Sequence, residues 1–149
     1  MEEEIAGFER RLDEAVRDTM ENEAFGYARS CILAKVMTEV YDKYKPTEYE
    51  RRYDEGGLSD YRNIEIEERN YDAGGGRYEI GVRNLTEGID GEGPIDTVIE
   101  EGVGYTWKGS RIYAMQPYPR PFYAPAEAMI EEGNYLERAL GEGLERNGL

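Results

Sequence analysis

No proline occurs before Pro46, and throughout the stretch that precedes it apolar side chains recur every three or four residues. That spacing lays one face along an α-helix of 3.6 residues per turn. Ile5, Phe8, Leu12, Val16 and Met20 make a first stripe, and Ile32, Leu33, Val36, Met37, Val40 and Tyr44 make a second. Gly26 stands between the two, where a kink or a break is expected. Pro46 ends the pattern, because the residue before a proline is pushed out of helical dihedrals.

Beyond Pro46 the period changes. Gly56-Gly57 marks a turn, and two runs of period two follow it. Ile64 and Ile66 alternate with Asn63, Glu65 and Glu67, while Tyr78, Ile80 and Val82 alternate with Glu79, Gly81 and Arg83. Alternation with one polar face predicts a half-exposed antiparallel hairpin, closed by Asp72-Ala73-Gly74-Gly75-Gly76. Residues 85–94 read as a polar, glycine-rich loop. Ile95, Val98 and Ile99 form a short amphipathic turn that ends at Gly102, and Gly104-Tyr105-Thr106-Trp107 a third short strand. Pro117, Pro119 and Pro121 alternate and predict an extended segment. Ala126, Met129, Ile130, Leu136, Leu140 and Leu144 form a C-terminal helix, with Gly133 as an interruption and Asn147-Gly148 as its stop. The expected fold is α+β, one domain over residues 1–149, with N-terminal helices, a small antiparallel sheet built on a long hairpin, and a C-terminal helix packed on one face.

Charge narrows the function. The net charge is −15, and the negative excess is three or four in each of residues 1–45, 46–84, 85–125 and 126–149. An evenly acidic surface repels phosphate, so specific nucleic-acid binding is not expected. There is no histidine, which removes the usual general base and every Ser–His or Cys–His mechanism. The single cysteine, Cys31, excludes an intramolecular disulfide and a thiolate zinc site, and its apolar neighbours predict a small buried hydrophobe. Gly102-Val103-Gly104 and Gly74-Gly75-Gly76 lack the residues that complete a dinucleotide or phosphate loop. Glu100-Glu101, or Asp90 with Glu92, has the chemistry to hold magnesium or act as an acid–base pair. Among 33 acidic residues, though, such neighbours arise by chance. No catalytic residue, metal or cofactor is expected. The start Met1-Glu2-Glu3-Glu4 is unlike a basic secretory leader, and no apolar run approaches the ~18 residues of a membrane helix. The expectation is a soluble protein made in the cytosol, with no membrane partner.

Thirteen tyrosines stand against three phenylalanines and one tryptophan. Tyrosine joins a large apolar ring to a hydroxyl and suits surfaces buried on association, although half of them are expected at the core edge. Rigid aromatics and arginine dominate protein–protein contacts, because they bury area with little entropy loss. On that ground Tyr49, Arg51, Arg52, Trp107, Arg120, Pro121 and Phe122 are the candidate interface or anchoring residues. Trp107 and Phe122 are equally expected to plug the core beneath the sheet.

In order along the chain, Val98-Ile99-Glu100-Glu101-Gly102, then Arg120-Pro121-Phe122 with Pro125, then Ala139-Leu140-Gly141-Glu142-Gly143-Leu144-Glu145-Arg146 resemble the minor tail component family of tailed bacteriophages. Tyr49-Glu50-Arg51-Arg52 through Gly56-Gly57-Leu58 is similar to the segment before that family's hairpin. The chain departs from the family in its acidity, and in carrying Glu55-Gly56-Gly57 where Asp-Thr-Gly is usual. The resemblance implies a structural virion protein that joins head and tail or completes the tail, and not an enzyme. It implies a homo-oligomeric ring in the neck, assembled in the host cytoplasm. Connector, tail terminator or tail tube proteins would be the neighbours, and DNA would pass through an acidic lumen without adhering. The contrasting expectation is an acidic DNA mimic that inhibits a nucleic-acid enzyme.

Overall fold

The computed structural model describes residues 1–43, 52–88, 93–102 and 119–149. Its N-terminal part is one helical column: α1 (Glu2–Thr19), a wide turn (Met20–Ala24), α2 (Phe25–Lys35) and a second wide turn (Val36–Tyr41). In the wide turns the backbone N–H reaches back five residues rather than four, Phe25 to Met20 and Asp42 to Met37. The buried positions follow suit. Ala15 and Thr19 are four apart, the next is Ala24 after a step of five, and Cys31, Ile32, Val36 and Val40 continue the inner face. The irregularity expected at Gly26 therefore falls just before it, and the helix runs through Gly26 itself.

The hairpin forms where period two predicts it, as β1 (Ile64–Asp72) paired antiparallel with β2 (Arg77–Asn84). Ile66 pairs with Val82, Arg69 with Ile80 and Tyr71 with Tyr78. A bulge between Ile66 and Glu68 shifts the alternation by one residue. That shift explains why the apolar positions of β1 step from Ile66 to Tyr71. The Asp72 carboxylate accepts from the Gly75 N–H at 2.9 Å, and Gly76 takes φ of 65°, so this turn uses its glycines. Tyr78 donates to Asp13, Arg69 pairs with Glu21, and Arg17 lies 5.1 Å from the Tyr71 ring. These contacts hold the hairpin's outer half against the end of α1.

Three shorter helices complete the domain: α3 (Asp96–Glu101), α4 (Tyr123–Glu131) and α5 (Tyr135–Arg146). Gly102, Gly133 and Gly148 all adopt positive φ and mark the three helix ends, as the sequence predicts. The expected strand at Gly104–Trp107 and the proline at 117 lie outside the described residues. α5 runs antiparallel to the column. Tyr135 sits by Tyr27, Gly143 by Thr19, and Arg146 pairs with Asp18 and Glu23.

The core gathers Cys31, Ile32, Val36 and Val40 from the column with Leu58, Ile64, Ile99, Phe122 and Ala126. Ile32, Val36 and Val40 of the second stripe thus face inward, while Met37 is exposed and Tyr44 lies outside the described residues. The first stripe turns inward only in its last turns. Ile5, Phe8 and Leu12 remain 51%, 47% and 38% exposed.

Two glycines test this packing in opposite directions. A Cβ at Gly143 would lie 2.6 Å from Thr19 Oγ1 and 2.7 Å from Glu23 Oε2, so Gly143→Ala must push α5 off the column. The expected loss is ~1–3 kcal/mol. A Cβ at Gly26 meets nothing within 4 Å, so Gly26→Ala should gain roughly 0.5–1 kcal/mol. Urea denaturation of both variants reads the signs. Equal stability of Gly143→Ala and wild type would contradict the close approach of α5.

Candidate functional site

Two polar networks gather at the base of the hairpin, where loops from distant parts of the chain meet. The first centres on Asp96, which opens α3 and is 1% exposed. A carboxylate in a helix's first turn suits the dipole, but burying it demands partners. Arg83 of β2 supplies two, donating Nε to Oδ2 at 2.8 Å and Nη2 to Oδ1 at 3.1 Å. Tyr123 of α4 donates its hydroxyl to Oδ2 at 2.6 Å and accepts from the Asn84 N–H at 2.9 Å. Burial alone would raise the Asp96 carboxyl, yet the bonds from Arg83 and Tyr123 outweigh it and hold the group below its ordinary value. Burial, followed by the Asp96 bond, pushes the Tyr123 hydroxyl well above its usual range.

A second carboxylate straps the Arg-Pro-Phe segment to α3. α4 has no side-chain cap of its own, and Glu100 Oε2 accepts from the N–H groups of Phe122 at 2.7 Å and Tyr123 at 3.2 Å. The Arg120 N–H donates to the Ile99 carbonyl at 2.9 Å. Phe122 is thereby driven fully into the core at 0% exposure, Pro121 is exposed, and Arg120 is half-buried. Between the two readings open for Phe122, the structure places it as a core anchor.

The second network pins residues 52–60. Asp60, buried, accepts from the Gly56 N–H at 2.7 Å and takes both ends of the Arg62 guanidinium. The Arg62 bond holds its carboxyl far below the usual carboxylate range. Asn84 donates to the Leu58 carbonyl at 2.8 Å, Thr86 to the Gly57 carbonyl at 3.1 Å, and the Ser59 N–H donates to the Tyr41 hydroxyl at 3.2 Å. Arg52 is exposed and donates to the Glu87 carbonyl at 2.6 Å. Of the sequence candidates, then, Arg120, Pro121 and Phe122 belong to the strap on α3 and Arg52 to this second loop. Tyr49, Arg51 and Trp107 lie outside the described residues.

Sequence reasoning passes over Asp60, Asn84, Thr86 and Asp96, the residues that build these networks. Two of them carry a signal. Asp60 precedes the turn Tyr61–Asn63 with Arg62 two residues on, and Asp96 stands in the first turn of a predicted helical segment. The Glu100-Glu101 pair, weighed above for acid–base work, has its first member occupied as a cap. Among the described residues no group of three or more His, Cys, Asp or Glu is placed to hold a metal ion. Cys31 is buried, and burial pushes its thiol up, away from a reactive thiolate. No helix among the described residues is long and apolar enough to cross a membrane.

Between α2, α4 and β2 lies an open groove of about 670 Å³. Small side chains make the room: Ala24, Ala28, Gly81 and Ala126 line it, with exposed Glu68, Glu79, Glu127 and Glu131 around it.

Fold and networks together define an α+β domain in which buried Asp60, Asn84, Thr86 and Asp96 hold loops in place. The chain belongs to the YomN family, whose model matches residues 4–146. The family name is of prophage derivation and agrees with a phage origin. No curated protein and no solved structure matches the chain.

The Asp96 network makes a pH-dependent prediction. Asp96→Ala removes the shared partner of Tyr123 and Arg83, leaves Arg83 only its bond to Glu67, and should cost ~2–4 kcal/mol. Because the folded pKa of Asp96 lies below its ordinary 3.8, its contribution is complete above that value and is lost as pH falls below it. The stability gap between wild type and Asp96→Asn should therefore stay level from pH 7 to about 4 and narrow between about pH 4 and pH ~3. A gap that holds constant or widens over that range would show that the carboxyl is not depressed.

Proposed function

We propose that this protein is a structural component of a tailed-phage particle, joining head and tail or completing the tail as part of a ring in the neck, and that it is not an enzyme. The observation that carries the reading is membership of a prophage-named family over nearly the whole chain, residues 4–146. The geometry supports it. The buried carboxylates Asp60 and Asp96, and the cap Glu100, are taken up in holding loops, which is scaffold work. Exposed tyrosines such as Tyr53, Tyr61 and Tyr135 offer association surface, and Arg52 and Pro121 stand outward on the two pinned segments. In this reading the protein resides in the virion. Copies of itself and connector, tail terminator or tail tube proteins are its partners, and carboxylates facing the lumen let DNA pass.

Electron microscopy of lysates from a phage lacking the gene tests the proposal. Filled heads and finished tails lying apart are expected. Joined particles of normal appearance would remove the protein from the neck, and inhibition of a DNA-acting nuclease would then be the assay to run. A point variant refines the test. Arg52 is exposed and gives up a bond to the Glu87 carbonyl, so Arg52→Ala should cost the isolated protein no more than about 1.5 kcal/mol. It should lower the yield of joined particles roughly tenfold or more, the order expected of an arginine hot spot. An unchanged yield would take Arg52 out of the interface.

A further inference from the structure

We infer that two copies of this chain pair through the first three turns of α1, running antiparallel. Of residues 1–12 every one is exposed except Gly7, which is half-buried. α5 covers the column at Thr19 and closes beside Asp18, and the hairpin tip meets α1 at Asp13 and Arg17. Ile5, Phe8 and Leu12 project past both. A helix of this length carrying a glycine is marginal in water by itself, so its apolar edge calls for cover.

The spacing identifies the cover. Met1, Ile5, Phe8 and Leu12 step by four, three and four, the seam of a two-stranded coil. Set antiparallel, the seam is self-complementary: Ile5 meets the partner's Phe8 and Met1 meets the partner's Leu12, each contact made twice. Charge then selects the direction. Glu4 and Arg11 each stand just before a seam residue, on the same side of it. In the antiparallel pair each Glu4 faces the partner's Arg11. In a parallel pair each would face the partner's Glu9, a like charge. On the other side of the antiparallel seam Glu2 faces the partner's Glu9, which weakens the pair. Met1, Ile5, Phe8, Leu12 and their flanking charges are far fewer than the roughly 20–30 residues a side of a standard interface, so the dimer is reversible. A two-fold contact uses the same patch on both copies and leaves the rest of the surface for other neighbours. The inference does not rest on the phage reading and is tested on the isolated protein.

Sedimentation equilibrium of the full chain, from roughly 10 µM to 1 mM at physiological salt, should show a monomer–dimer equilibrium. Phe8→Glu should be monomeric throughout, with its helical circular dichroism retained. Glu4→Arg and Arg11→Glu should each raise the dissociation constant roughly tenfold or more, since two attractive pairs become repulsive. Mixing these two single variants should restore dimerisation as a heterodimer, because every such pair is again of opposite charge. Glu9→Lys should tighten the wild-type dimer. A wild type that stays monomeric across the range overturns the inference and leaves the edge to a different partner. A dimer unaffected by Phe8→Glu overturns it too, as does one lost in the single charge variants and not regained on mixing.

Discussion

One carboxylate decides how the parts of this domain meet. Asp96 receives Arg83 from β2 and Tyr123 from α4, so a strand and two helices that are remote in sequence converge on a single buried charge. Such a group is tolerated in an interior only when its bonds are made, and only one arrangement of these three elements makes them. Its value is therefore more in discrimination than in net stabilisation. With α4 fixed there, Phe122 enters the core and α5 returns along the helical column to close it.

Several arginines are engaged within the chain, most of them at its surface. Arg17, Arg62, Arg69, Arg77, Arg83 and Arg146 each pair with a carboxylate of the same chain. Arg29 lies over the rings of Phe25 and Tyr61 instead. Each pair cancels one charge of either sign, so pairing leaves the net charge of −15 as it stands and the surface acidic overall. The groove beside α4 shows the result locally, with four glutamates exposed around its small-residue lining.

Periodicity made the helices and the hairpin legible, because both are written in local spacing. Positive-φ glycines at 102, 133 and 148 were legible as helix ends for the same reason. What escaped depends on contacts between distant segments. Glu100 looks like half of an acidic pair until Phe122, far along the chain, supplies the N–H it caps. The wide turn at Met20–Ala24 needs no special residue, so nothing in the sequence marks it, whereas Gly26 lies within regular helix. Asp60 and Asp96 read as two among many acidic residues, and only burial singles them out. The first apolar stripe shows the converse: its period was plain, but which neighbour it meets was not.

The wide turn at Met20–Ala24 also sets a phase. Each residue of an α-helix advances the face by about 100°, and the extra residue held there rotates everything on its N-terminal side relative to the core-facing half. Shortening the turn by one residue would leave both helices intact and the core sequence untouched. It would nonetheless swing Ile5, Phe8 and Leu12 to another side of the column. In this chain the aim of an exposed edge is thus a matter of counting residues at a point well away from that edge, and a change in length could redirect the edge without altering any side chain on it.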